Sequence, residues 1–401
     1  VKWPWSQPDR DATDIMQHPL LMMTPHDPWT VADACEGTQI FGATGSGKTS
    51  GSGAAIARAM LLAGFGGLVL TAKPDEKDLW KKHAEATGRA ADVIVFGVDQ
   101  PHRLNFLDYE RERCQRRTGG ATITENLVAL FGEVLEVVDR DGGGGRSSQD
   151  PFWARALRQL LRNAIDLSVL TNGSVALSDI AEVIMSAPTD PDDLLDPAWV
   201  ANSVCCAWLM RARDRRLTGS ERHDLNITAQ YWLKEFPSFD ERTRASIVST
   251  FTTLADSMRR GQLRELFGTT TTLTPESTHD GRILIIDLPI KTFHELGRIS
   301  QVIWKYLWQR ATEARRVTPG SRPVFLWADE AQNFITAKDM DFQATARSSR
   351  ACTIYLTQSL STYLAVLGRD GEGHAVTDSF LGNLQTKIFH AQGVRRQRWQ
   401  L

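Results

Sequence analysis

The sequence predicts an α/β fold: a mostly parallel central sheet flanked by helices, with an inserted all-alpha domain. Three observations predict it. Near the start of the chain, short apolar runs bounded by turn residues alternate with a helical pattern. From about Ile123 to Phe267 strand signals nearly vanish and apolar residues recur at helical spacing. Strand-like runs then return at Ile283–Asp287, Val324–Ala328, Thr353–Thr357 and Lys387–Phe389. The sheet is therefore expected to draw on both ends of the chain.

Residues 1–36 are rich in Pro, Trp and polar groups and read as a loosely structured N-terminal arm. A β run at Thr38–Phe41 enters a glycine-rich loop, and Ala54–Ala63 has helical spacing with good helix formers. Gly66–Ala72 reads as a second strand, followed by the charged turn Lys73–Lys77, and Ala91–Phe96 as a weaker third. The expected α/β domain is discontinuous, 37–108 with 268–401, and 109–267 is the insertion. Inside the insertion, Phe152, Ala156, Leu157, Leu160, Leu161, Ala164 and Ile165 share a helical face, as do Ile247, Phe251, Leu254 and Met258. The four glycines within Asp141–Ser148 lack a preceding strand and a Lys-Ser/Thr ending, so they read as a flexible connection rather than a phosphate loop. Ile299–Arg315 is a further helical pattern, and no solenoid repeat is visible.

With 401 residues, 42% hydrophobic and 23% charged, the chain is an ordinary globular protein able to bury a sizeable core. A net charge of −2 does not announce a nucleic-acid partner, so any DNA would meet a local basic lining. Arg111, Arg113, Arg116 and Arg117 form one basic cluster and Arg211, Arg213, Arg215 and Arg216 another, both reading more simply as solvated helix faces. The twelve tryptophans suit core packing better than base stacking, because most lie in apolar runs. Five cysteines without a CxxC exclude a disulfide framework and a zinc site and fit a reducing cytosol. Val1–Pro28 has no signal-peptide pattern, and no run approaches the ~20 apolar residues that span a bilayer.

Gly42-Ala43-Thr44-Gly45-Ser46-Gly47-Lys48-Thr49 fits G-x-x-x-x-G-K-[ST] without a mismatch, with a strand before it and a helix after. Triphosphate oxygens need backbone N–H groups aimed at them, which demands a turn without bulky Cβ atoms. The following helix, which Ser50 enters, points its positive end at the phosphates. Lys48 supplies a point charge to the β- and γ-phosphates of ATP, and Thr49 offers a hydroxyl to Mg²⁺. A second motif is Pro323–Ala328, a buried-strand run ending in Asp329-Glu330. Beside the phosphate loop, Asp329 can hold Mg²⁺ through its water shell and Glu330 can act as general base on the attacking water. Gln358 follows the apolar run Thr353–Thr357, where its amide can contact the γ-phosphate or the water. Arg347 and Arg350 precede that strand, and either can serve as an arginine finger into a neighbouring subunit.

In this order the motifs resemble those of the type IV secretion coupling proteins, the TraD/TraG-type ATPases of conjugation, within the FtsK–HerA superfamily of RecA-like P-loop NTPases. Ile40-Phe41-Gly42 through Thr49-Ser50 is similar to the family's first motif, and Lys73-Pro74-Asp75-Glu76 resembles its Asp-Pro-Lys-x-Glu turn in altered order. Leu104-Asn105-Phe106-Leu107 resembles its Asn-Pro-Leu segment; Pro151-Phe152-Trp153 and Glu241–Ser246 resemble signatures of its all-alpha domain. Asp280-Gly281 through Asp287-Leu288-Pro289 resembles the strand after that domain, and Asp329-Glu330-Ala331 with the Arg347…Gln358 spacing is similar to its hydrolysis motifs.

The resemblance implies a homo-hexameric ring that hydrolyses ATP at subunit interfaces and passes DNA, single- or double-stranded, to a secretion channel, often with an attached relaxase. It assigns the arginine finger to Arg347, the position at the family's spacing from Gln358. Family members usually carry N-terminal transmembrane helices and continue past the strand matched by Thr386–Phe389. This chain shows no such helices and ends in the basic tail Arg395–Arg398. The implied place is the cytoplasm, peripheral to the inner face of the membrane through a partner. Two other readings fit the same motifs: the same motor as a soluble FtsK/HerA-like DNA pump or DNA-processing ATPase, and, without a motor, a nucleotide-switched docking adaptor for protein cargo without substantial turnover.

Overall fold

The computed structural model describes residues 15–119, 123–141, 151–336 and 338–391. The chain divides into two compact units, 1–101 with 274–401, and 102–273. The boundary thus falls at 102–273, several residues outside the expected 109–267.

The first unit is built on a seven-stranded, all-parallel sheet of β3 (Thr38–Phe41), β4 (Gly66–Leu70), β5 (Val93–Gly97), β6 (Ile283–Asp287), β7 (Val324–Ala328), β8 (Ala351–Thr357) and β9 (Thr386–Phe389). Their order is β5-β6-β4-β7-β8-β3-β9. Every residue of β3, β4, β7 and β8 is buried, which is why β4 and β7 read as unbroken apolar runs rather than alternations, while β3 and β8 also bury Thr38, Gln39, Thr353 and Thr357. Helices cover both faces. Phe96, Ile286, Leu70 and Ala328 share one row, and on that face Phe96 meets Trp304 of α13 (Ile290–Glu313) edge-on at 4.8 Å. On the other face Trp327 and Phe325 pack on Trp80 of α3 (Glu76–Ala86) at 5.2 and 5.4 Å. Helices α2 (Ala54–Leu62), α14 (Lys338–Ala346), α15 (Leu360–Leu367) and α16 (Gly371–Gly382) complete the layers. Helix α13 begins earlier than its apolar pattern indicates and breaks at His294 (φ 49°, ψ −127°).

The expected loose arm at 1–36 is corrected from Ile15 onward. Strands β1 (Pro19–Thr24) and β2 (Asp27–Thr30) form an antiparallel hairpin that leads into α1 (Val31–Cys35). Thr30 and Asp33 cap α1 reciprocally: the Thr30 hydroxyl accepts from the Asp33 N–H while the Asp33 carboxylate accepts from the Thr30 N–H at 2.7 Å. Trp29, Val31, Ala34 and Cys35 enter the sheet's core, and their burial outweighs the local polar composition that suggested disorder.

The second unit is helical, containing α4 (Phe106–Thr118), α5 (Ile123–Asp141), α6 (Pro151–Asn172), α7 (Leu177–Met185), α8 (Pro197–Asn202), α9 (Val204–Asp214), α10 (Gly219–Gln230), α11 (Glu241–Met258) and α12 (Gly261–Phe267). Leu160, Leu161, Ala164, Ile165 and Leu167 of α6 are all buried, and α6 packs on α5, α7, α9, α10 and α11. Asn105 caps α4, accepting from the Asp108 N–H at 3.2 Å. The first basic cluster is not a free basic face. Arg113 is buried in a paired fork on Glu110, Arg111 pairs with Asp108 at 2.6 Å and Arg116 with Glu112 at 3.3 Å. The four-glycine run and the basic tail lie outside the described residues.

Candidate active site

Because the sheet is parallel, the ends of β3, β4, β7 and β8 open on one edge, and the site is assembled there. The chain leaves β3 at Gly42, whose N–H donates to Thr357 O of β8 at 3.1 Å. Gly45 (φ 76°) and Gly47 (φ 85°) take the left-handed backbone that L-residues resist. The Gly42, Ala43 and Ser46 N–H groups are taken by Thr357 O, Ala391 O and Ala43 O, and the left-handed turns at Gly45 and Gly47 give the stretch from Gly45 to Thr49 the backbone of an anion-binding nest. The first turn after Lys48, Thr49–Gly53, is a π-helix that runs into α2; such wide turns gather at functional sites.

The acidic pair sits beside this loop. Asp329, at the end of β7, is buried and accepts from the Thr49 hydroxyl at 2.6 Å through Oδ2 and from the Glu330 N–H at 2.9 Å through Oδ1. Glu330 holds a left-handed backbone (φ 52°, ψ 47°), which costs an L-residue about 1–2 kcal/mol and turns its side chain back over the loop. Its carboxylate lies 3.6 Å from Lys48 Nζ and 3.5 Å from Lys73 Nζ, and it accepts from Gln332 Nε2 at 2.9 Å. Burial alone would raise its pKa. The Gln332 bond, the Lys48 and Lys73 charges and a bond from Gln358 outweigh that and hold it below the ordinary value. Gln332 in turn accepts from the Thr357 hydroxyl at 2.7 Å, tying the turn after β7 to the end of β8, where Gln358 follows.

Lys48, Thr49, Asp329, Glu330 and Gln358 are thus brought together, with Gly42, Ala43, Thr44, Gly45, Ser46 and Gly47 forming the loop and Ser50 the turn behind it. Arg347 and Arg350 are not brought there. Both precede β8 and so lie at the opposite edge of the parallel sheet. Arg347 is largely exposed and pairs with Glu36 at 2.7 Å, whereas Arg350 donates to the carbonyls of Pro319 and Ser321 at 2.9 and 2.7 Å.

Two site residues escape sequence reasoning. Lys73 and Glu76 follow β4, and β4 lies next to β7, so their turn abuts the acidic pair. Burial lowers the Lys73 pKa, but the Asp329, Glu330 and Glu76 charges outweigh it and leave it raised. The Glu76 carboxyl accepts from the Ala72 N–H at 2.7 Å and shares a small cavity with Thr49, Asp329, Trp80, His83 and Trp327. Burial first, then the Asp329 charge, push it up to about 8. The charged turn was a sequence signal; its neighbour was not.

A hydroxyl and a carboxylate in contact form an all-oxygen donor set with one formal charge. That set fits Mg²⁺, a hard cation that keeps most of its water.

Neither a protein-family model nor a curated protein sequence matches the chain. Solved structures do. The chain is similar to the bacterial conjugative coupling protein TrwB in a sulphate-bound trigonal form, with a TM-score of 0.59 and 15% identity over 95% of this chain and 76% of that one. It is similar to the plasmid coupling protein TrwB with ADP and Mg²⁺ (0.58, 14%, 94% and 75%) and with the non-hydrolysable ATP analogue ADPNP (0.57, 14%, 93% and 73%). Likeness at this identity establishes the fold, which is a RecA-like α/β NTPase core. The fold expected from the resemblance to coupling proteins is the fold of a coupling protein.

Proposed function

We propose that the protein is an ATP-driven motor of the conjugative coupling-protein type, moving DNA or a relaxase–DNA substrate toward a type IV secretion channel. One observation carries this reading. Lys48 and Thr49 meet the Asp329–Glu330 pair within hydrogen-bond or ion-pair distance, across 280 residues of sequence. The fold shared with TrwB, a protein solved with ADP and Mg²⁺, supports it.

Each residue then has a task. The N–H groups of Gly45, Gly47, Lys48 and Thr49 and the Lys48 ammonium hold the β- and γ-phosphates of ATP. Thr49 and Asp329 would hold Mg²⁺, and the ion would supply neutralisation of phosphate charge. Lys48, drawn to phosphate, leaves Glu330 to Lys73, Gln332 and Gln358, which keep its carboxylate ionised and aimed at the water whose proton it takes. Gln358, at the end of the strand between β7 and β3, registers loss of the γ-phosphate. Arg347, exposed at the far edge of the sheet, serves a neighbouring subunit's site in a homo-hexamer rather than its own.

Steady-state phosphate release from ATP, with and without single- and double-stranded DNA, tests the reading. DNA is expected to stimulate the wild type, and Glu330→Gln to remove nearly all turnover. Full activity in that variant would strip Glu330 of its role, and absence of turnover in the wild type under all three conditions would end the motor reading.

A further inference from the structure

A trans peptide points its C=O and its N–H in opposite directions. A nest that turns N–H groups inward therefore turns carbonyls outward, and each outward carbonyl needs a partner. For Ser46 that partner comes from the last strand of the sheet. His390 Nδ1 lies 3.1 Å from Ser46 O, and its Nε2 lies 2.7 Å from Ser52 Oγ on the turn after the loop. A carbonyl oxygen only accepts, so Nδ1 carries a proton and donates to it, while Nε2 shares its hydrogen bond with the Ser52 hydroxyl.

The histidine is itself held in place. Its N–H donates to Phe41 O at 2.8 Å, and Ala391 O accepts from the Ala43 N–H at 3.0 Å. The preceding ring, Phe389, stacks on Phe41 at 5.4 Å and 14°. A β carbon at Gly51 would stand 3.6 Å from His390 Cε1, so the ring lies against the turn that follows the loop.

We propose that His390 is a positioning residue for phosphate recognition: its imidazole pins the Ser46 carbonyl outward and thereby aims the Gly47 N–H, the other end of the same peptide, into the nest. The inference rests on the nucleotide-binding reading above and adds a residue that the loop motif does not contain.

Calorimetric titration of the full chain with MgADP tests it, alongside thermal melts of each variant. Wild type is expected to bind. His390→Ala should lose about three- to tenfold in affinity, the worth of one hydrogen bond. His390→Asn places an amide N–H where Nδ1 stood and should recover to within about twofold, whereas His390→Gln reaches only toward Ser52 and should not. Equal affinity for wild type and His390→Ala, or equal rescue by Asn and Gln, would overturn the proposal. If His390→Ala melts too low to titrate, the contrast between Asn and Gln decides by itself. A wild type that does not bind MgADP would instead bring down the nucleotide reading, and this inference with it.

Discussion

Two lysine–carboxylate groups in the α/β unit are built oppositely. Lys305 of α13 and Asp339 of α14 are both about 1% exposed, and both are saturated. The ammonium donates to Phe334 O at 2.6 Å as well as to Asp339, whose carboxylate also accepts from the Thr336 N–H at 2.7 Å, Gln309 at 2.7 Å and the Tyr355 hydroxyl at 2.9 Å. At the edge of the sheet, Glu330 is shared between two ammonium groups at 3.5 and 3.6 Å and sits on a strained backbone. A pair with every lone pair engaged has nothing to gain by moving. A carboxylate held loosely by two cations can surrender one to an incoming phosphate at small cost. Satisfaction of hydrogen bonds, rather than the presence of an ion pair, separates scaffold from working part.

The largest effect should come from the loose group. Glu330→Gln is expected to lower kcat by roughly 10²–10⁴-fold while the melting temperature stays near wild type; a large loss of stability would mean that Glu330 is scaffold after all. The saturated group should respond in the opposite way. Lys305→Met leaves Asp339 buried without its cation and should cost about 3–5 kcal/mol of stability by denaturant unfolding, with ATP hydrolysis per folded molecule little changed. A cost below about 1 kcal/mol would erase the contrast.

Glu76 sharpens the comparison because it is buried beside Asp329 and, among the described residues, forms no ion pair like those of Glu330. Folding raises its pKa from 4.5 to about 8, so the folded chain keeps a proton there that the unfolded chain gives up. Its contribution is complete below about pH 4.5 and is lost as pH rises toward 8. Glu76→Gln, which copies the protonated form, should flatten this slope and gain up to a few kcal/mol over wild type at pH 8, with little difference at pH 5. Parallel curves across that range would refute the assignment. The smallest effect belongs to the exposed pair. Arg347→Ala should change stability by less than about 0.5 kcal/mol, so a loss of hydrolysis without a loss of stability is the outcome that the proposed arginine finger requires.

Much of this was legible in the chain. The central strands β4, β6 and β7 were visible as apolar runs because parallel strands inside a sheet are buried on both faces. The phosphate loop was visible because its chemistry tolerates few residue types. Glu330's place at the sheet edge followed from its position after a buried run, but its two cations did not, since the adjacency of β4 and β7 is a property of strand order and not of local pattern. The hairpin at 19–30 was missed because Trp29 and the capping pair Thr30–Asp33 are ordinary residues until the sheet gives them something to pack on. Arg113 looked like part of a basic face because the spacing that marks a solvated stripe also puts Glu110 within reach to bury it.

The glycine loop is synthesised before the ring that braces Ser46, which comes 344 residues later. At ordinary rates of about 5–20 residues per second a ribosome needs on the order of tens of seconds to cover that gap. For that time the loop, together with the strand that carries it, waits without its neighbours β8 and β9. The braces of the loop on the β8 and β9 side therefore form only after the helical unit and the far strands of the sheet have been made.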